Sequence, residues 1–382
     1  MIDRSIIYSI PYTILFIILL FLYYLERNHL YSESEGENNK LKQIRGIGFI
    51  VLLVFIGLRG HIYTDFVEYY WMFDRIPAIW NLDVSEFNME SGFVVYTSLF
   101  KTIVPNYFAW VFFNTLIDLS VLYLFFKKHT QSVILAFMVF IAYQGLYVEF
   151  NLYRNSKAII LFIISLPYLI QRKSIPFFVL NTLGCFFHMG AVLFFPLYFI
   201  GNKRCSKQVI WSLFVIANVC FFFKVHFTSE ILKYLSGFSA EYLAFKANKY
   251  ASYSEAYGLS FGYLEKTLII CLIIGNYHRL CNCRYLNTLL CNCAILFYFI
   301  TYFFADISIL TERLSYQYIF AFWLIIPELL YLKGKRSLLN TAIMVLLFLR
   351  LVVGNMTSLC YYDNILWGTM DVEKRSIIVS SF

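Results

Sequence analysis

Apolar positions in this chain come in long runs separated by short polar joints. A helix that crosses a bilayer needs about 20 mostly apolar residues, each adding about 1.5 Å against a hydrocarbon core of about 30 Å. The pattern predicts spans near 6–24, 43–58, 106–126, 132–148, 157–170, 175–187, 188–200, 208–223, 263–277, 285–304, 314–332 and 337–353. The expected fold class is all-α, a polytopic integral membrane helical bundle of roughly 10–12 spans. Residues 1–382 read as a single membrane domain. The first run, IIYSIPYTILFIILLFLYY, is too long for a signal-peptide core and no small-residue cleavage site follows it, so it reads as a span. Two connections are long. Within 59–105, ESGFVVYTSLFKTIV has helical apolar spacing with one charge, Lys101, and predicts an outer-leaflet interfacial helix. The second, 224–262, contains SAEYLAFKANKYASYSEAYG, whose Tyr and Lys suit a membrane-surface or sugar-facing external loop.

Composition excludes the soluble alternatives. Hydrophobic residues make up 60% of the chain and charged residues 14%, against globular averages of about 45–50% and about 25%. A soluble fold of this size could not hide that surface, so soluble enzymes, disordered tails and nucleic-acid-binding domains drop out. The net charge of +8 then reads as topology. Arg27, Lys40, Lys42 and Arg45 flank the first loop, and basic residues recur at Lys127–Lys128, Arg172–Lys173, Lys203–Arg204–Lys207, Arg279–Arg284 and Lys333–Lys335–Arg336. Lys and Arg accumulate in cytoplasmic loops, which puts these clusters inside and both termini outside. A single span over 175–200 would invert every later loop. A break at His188 keeps the alternation and places His188 at the outer tip of a hairpin of two short helices. Cys281, Cys283, Cys291 and Cys293 lack the wider spacing usual for structural zinc and read as buried small hydrophobes.

The sequence has no GxxxxGK[ST], HExxH or GxSxG motif. Asp118 is the clearest acid inside a span, with Asn114 one turn earlier on the same face; a structural pair locking two helices is favoured over a substrate contact. The more informative set lies at the outer ends of the spans: Arg59, Asp65, Glu90, Asn151, Arg154, Asn155, Lys157, His188 and Arg313. Singly, each has a plain structural reading as an interface anchor, a helix cap or a satisfied core residue. Together, three Arg, two acids and a His on one rim suit an anionic, sugar-bearing lipid, because Arg pairs bidentately with phosphate and acids or His can take a hydroxyl proton.

At these residues the chain resembles the EpsG family, which belongs with the Wzy-type polymerases of O-antigen and exopolysaccharide synthesis. The resemblance rests on RGHIYTDFVEYY from Arg59, ESGFVVYTSLFK from Glu90, NLYRNSKAIILFIISL with Asn151 and Arg154, FFHMGAVLFFPLYF with His188 and Pro196, and ERLSYQYIF with Arg313, in order over about 45–330. Asn155, the Met189–Gly190 pair and the His61–Ile62 pair depart from the family pattern. The resemblance implies a bacterial inner-membrane glycosyltransferase with its active face outside the cytoplasm. It would join undecaprenyl-diphosphate-linked oligosaccharide repeat units, as in lipopolysaccharide O-antigen or exopolysaccharide. Arg59, Arg154 and Arg313 would meet the diphosphate. Asp65, Glu90 and His188 are the candidates for acid–base work, Asp65 first, with weaker substrate contacts at Asn151, Asn155 and Tyr69. No cofactor is implied; a divalent metal is allowed at Asp65 but not required. The expected partners are the lipid-linked oligosaccharide, the bilayer and, where one operates, a chain-length regulator, and no nucleic acid. The architecture also resembles GT-C glycosyltransferases, and a related transferase or ligase, a flippase for the same lipid or a non-enzymatic scaffold are the competing readings.

Overall fold

The computed structural model describes residues 4–30, 35–225, 230, 234, 258–332 and 338–380. Among them the chain is helical, with isolated β-bridges and no strand. In chain order the helices are α1 (Ile10–His29), α2 (Glu35–Leu52), α3 (Phe66–Arg75), α4 (Ser91–Ile103), α5 (Tyr107–His129), α6 (Val133–Ala142), α7 (Gly145–Asn151), α8 (Tyr153–Ile170), α9 (Ser174–Phe187), α10 (Leu197–Ile200), α11 (Lys207–Phe222), α12 (Phe261–Gly275), α13 (Tyr277–Cys283), α14 (Tyr285–Phe303), α15 (Ser308–Ser315), α16 (Phe320–Leu332), α17 (Leu338–Gly354) and α18 (Val372–Ser380). The all-helical polytopic membrane fold read from the sequence is the one observed. Residues 235–257 of the second long connection, and Lys333, Lys335 and Arg336, lie outside the described residues.

The expected apolar windows coincide with helices, but many are shorter than a bilayer crossing. Ile6–His29, Tyr107–His129 and Tyr285–Phe303 are each long and apolar enough. Two bent pairs, Val133–Ala142 with Gly145–Asn151 and Leu310–Tyr318 with Phe320–Leu332, turn by 64° and 51° at their breaks. The expected span at 188–200 is a 3-10 helix, Met189–Phe194, followed by the single turn α10, well short of a crossing.

The chain forms two compact units, one from Met1–Val192 with Lys333–Phe382 and one from Leu193–Leu332. In the first, α6 is the centre. All ten of its residues, VILAFMVFIA, are buried, the signature of a helix apolar on every side. Its two ends carry complementary charge. At the N-terminus the Glu26 carboxylate accepts from Val133 N at 3.1 Å and Ile134 N at 3.2 Å while pairing with Arg45 Nε at 2.7 Å. At the C-terminus Arg350 Nε donates to Ala142 O at 3.1 Å. Around this centre α1 buries the stripe Tyr12, Leu15, Phe16, Leu19, Leu22 and Glu26, one helical face, and leaves Ile10, Ile14, Ile17 and Phe21 exposed, as a lipid-facing surface requires.

Charge is also buried between α5 and α8. Lys157 Nζ pairs with Asp118 Oδ1 at 2.6 Å and donates to Asn114 O at 3.1 Å, and Ser156 Oγ donates to Asp118 Oδ2 at 2.6 Å. The structural reading of Asp118 therefore stands, with Lys157 rather than Asn114 as its main partner. Lys157 is correspondingly buried rather than on an outer rim.

At His188 the backbone leaves helix α9 for an extended conformation. The chain then folds back: a Cβ added to Gly184 would lie 3.2 Å from Ala191 Cβ, whereas residues seven apart in a continuous helix are separated by about 10.5 Å. In the second unit α14 is the central helix, with its middle turns, Leu289–Ile295, fully covered.

The α5–α8 ion pair makes a testable statement about stability. Lys157→Met leaves a carboxylate buried without its counter-charge and is expected to cost about 3–5 kcal/mol, whereas removing both charges in Lys157→Met with Asp118→Leu costs less. Unfolding of the detergent-solubilised protein measures both; a double variant as unstable as the single one contradicts the pairing.

Candidate functional site

Three of the sequence candidates meet at one point, from three separate helices. Glu90 is the N-cap residue of α4, Arg154 lies in the first turn of α8, and His188 ends α9. Arg154 Nη1 donates to Glu90 Oε2 at 2.5 Å, and His188 Nδ1 stands 3.5 Å from Glu90 Oε1. The three side chains are 21%, 18% and 19% exposed, enough to reach a ligand while mostly dry. Gly92 permits the approach. A Cβ there would lie 2.7 Å from Phe186 Cβ and 2.8 Å from Phe186 O, so any larger residue would push the start of α4 away from the end of α9.

Electrostatics assign Glu90 a fixed role. Burial alone would raise its pKa, but the neighbouring His188 imidazole and the Arg154 charge outweigh it and hold the carboxyl at about 2. A carboxylate held that low is a weak proton acceptor near neutral pH. Glu90, expected as an acid–base residue, is better placed to orient Arg154 and to fix the His188 ring. With Nδ1 turned to Glu90, Nε2 is the nitrogen left for proton transfer.

Arg59 is not on the rim. It is 1% exposed, and its four terminal N–H groups are all used. Nη1 donates to Ile56 O at 2.5 Å and Thr115 Oγ1 at 3.1 Å; Nη2 donates to Glu149 O at 2.6 Å and Tyr153 OH at 2.8 Å. The guanidinium also packs over the Phe150 and Tyr153 rings at 4.8 and 5.3 Å. Instead of meeting a diphosphate, Arg59 pins the break between α7 and α8, one residue before Arg154.

Asn151 and Tyr69 are likewise positioning groups. Asn151 Oδ1 accepts from Thr64 N at 3.2 Å, Thr64 Oγ1 at 3.1 Å and Asp65 N at 2.8 Å, which fastens the Thr64–Asp65 turn to the end of α7. Asp65 is partly exposed at the start of α3, and Tyr69, one turn on, is buried and interacts with both Asp65 and Arg154. Burial leads the causes that push the Tyr69 hydroxyl up to about 12. Asn155 is buried in α8. His61 packs among Phe66, Tyr70, Tyr107 and Phe108, and burial lowers its pKa to about 4, so it is neutral at pH 7. Arg313 belongs to the second unit, where its side chain is exposed on α15.

Sequence reasoning missed Tyr153 and the end of the chain. Tyr153 was one more aromatic among 31 Tyr, and its signal lay only in adjacency to Arg154. The segment after α17, beyond the last apolar run, packs on the loop that bears Arg59 and Asp65.

A family model described as the EpsG family matches residues 43–366, which takes in every residue of this cluster. The chain belongs to the EpsG family. EpsG proteins are Wzy-type, polysaccharide-polymerase-like membrane proteins. No curated protein and no solved structure matches the chain.

The depressed Glu90 pKa has a pH signature. Because the folded value, about 2, lies below the ordinary 4.5, the stabilisation is present above pH 4.5 and is lost as pH falls through about 2. The difference in melting temperature between the wild type and Glu90→Gln should be flat above pH 4.5 and close toward zero near pH 2. A difference already vanishing between pH 6 and 5 would mean that the carboxyl is not held down.

Proposed function

We propose that this EpsG-family protein is a polysaccharide polymerase acting on lipid-linked repeat units at the outer face of a bacterial inner membrane. The reading rests most on one observation, the Glu90–Arg154–His188 junction, where an oriented guanidinium and an imidazole share one carboxylate. In the reaction the bond from the sugar anomeric carbon to the diphosphate of an undecaprenyl carrier breaks, and a bond from that carbon to a hydroxyl of the next repeat unit forms. Negative charge grows on the departing diphosphate, and Arg154, fixed by Glu90, meets it. The acceptor hydroxyl gives its proton to His188 Nε2, with Glu90 stabilising the imidazolium. Asp65 stands within reach of the same Tyr69 that faces Arg154 and serves as a sugar-hydroxyl acceptor. The apolar faces of the helices supply the groove for the polyprenyl tail.

The test is genetic and direct. Deletion of the gene should leave glycan of a single repeat unit on its lipid acceptor. Arg154→Ala should reproduce that ladder at unchanged protein level, Arg154→Lys should retain short chains, and His188→Gln should abolish polymer. Repeat units trapped on the cytoplasmic side would point to a flippase and overturn the polymerase reading. Full activity in His188→Gln with loss in Asp65→Asn would move the base to Asp65.

A further inference from the structure

The loop after α2 must take Arg59 inward and bring Thr64 and Asp65 to the site within six residues. Tyr63, immediately before them, adopts a left-handed φ of 65°. A tyrosine holds that conformation only where its surroundings impose it. The constraint comes from the far end of the chain. Gly60 N donates to Asp363 O at 3.0 Å, Tyr63 N donates to Leu359 O at 2.9 Å, and Ile365 N donates back to Leu58 O at 2.9 Å. Side chains add Tyr63 OH to Asn355 Oδ1 at 3.3 Å and Tyr362 OH to Phe55 O at 2.9 Å. Contact is close: a Cβ on Gly60 would lie 2.6 Å from Asp363 Cγ.

The segment that makes these bonds is itself locked by one buried charge. Arg375, on α18, is fully buried. Its Nη1 donates to Ser358 O at 3.1 Å, and its Nη2 donates to Leu359 O at 2.5 Å and Tyr361 O at 3.5 Å. Asp363 Oδ2 accepts from Met370 N at 2.6 Å and closes the return toward α18. Burying a guanidinium is costly, and the three carbonyls that Nη1 and Nη2 reach offset that cost, so the bend at 358–361 and the charge stand or fall together.

We propose that residues 355–375 form a positioning strap for the active site, with Arg375 as its lock. Arg375 holds the bend that presents Leu359 O and Asp363 O to Tyr63 and Gly60, and so sets Asp65 against Asn151. It is a positioning residue and touches no substrate. The role in turnover rests on the polymerase reading of the site; the strap itself does not.

The experiment uses the full chain in lipid nanodiscs, with Arg375→Gln and, as a milder second variant, Asp363→Ala. Hydrogen exchange should speed up at Gly60 and Tyr63 in both, while α8 keeps its protection. With an undecaprenyl-diphosphate-linked repeat unit as substrate, kcat should fall by about 100-fold, a loss that an ångström's misplacement can cause, while KM stays nearly unchanged. Unchanged exchange at Gly60 and Tyr63 in both variants overturns the strap. Faster exchange with unaltered kcat overturns its positioning role. The exchange result decides the strap even where the wild type shows no glycosyl transfer, an outcome that would sink the polymerase reading instead.

Discussion

Charge inside an apolar protein is costly unless a counter-charge or a set of hydrogen-bond partners replaces the lost water. The first unit is organised around that constraint at the break between α7 and α8. Arg59 enters from the end of α2 and binds the carbonyl of Glu149 and the hydroxyl of Tyr153. Lys157, one turn further on, binds Asp118 of α5. Two buried cations thus grip the start of α8 from both sides of Arg154. Of these three cations Arg154 is the partly exposed one, and its salt bridge to Glu90 fixes its direction.

The same constraint explains why the helices break where they do. A continuous helix would satisfy the Glu149 carbonyl internally and cost Arg59 one of its four acceptors. The interruption at Leu152 frees acceptors near the end of α7, and Arg59 uses one of them. The break at His188 likewise ends α9 where Gly92 lets α4 come close, so that Glu90 reaches both His188 and Arg154. In membranes, irregular backbone is found where it is buried in protein or lines a cavity, and here it surrounds the residues best suited to chemistry.

Much of the fold was legible because apolar runs and breaks leave a one-dimensional trace. The windows at 106–126, 208–223 and 285–304 match α5, α11 and α14 closely. The interruption at His188 was legible from charge alternation. Glu90, Arg154 and His188 were legible as polar residues at span ends, and the family resemblance sharpened them. The depth of Arg59 and Lys157 was not, because an Arg at a span end can snorkel outward or turn inward, and only its partners decide. Nor was the strap. Its hold on the loop is mostly backbone hydrogen bonding, which leaves almost no mark on residue identity, and its buried cation, Arg375, sits in an ordinary polar stretch.

The central claim is that an Arg154 aimed by Glu90 meets the diphosphate of a lipid-linked glycan. Binding of undecaprenyl diphosphate to the protein in nanodiscs, wild type against Arg154→Met, measures this most directly. The account predicts that the variant binds about 10- to 100-fold more weakly, the loss of charge-assisted hydrogen bonds to phosphate. Equal affinity in the two proteins would contradict it.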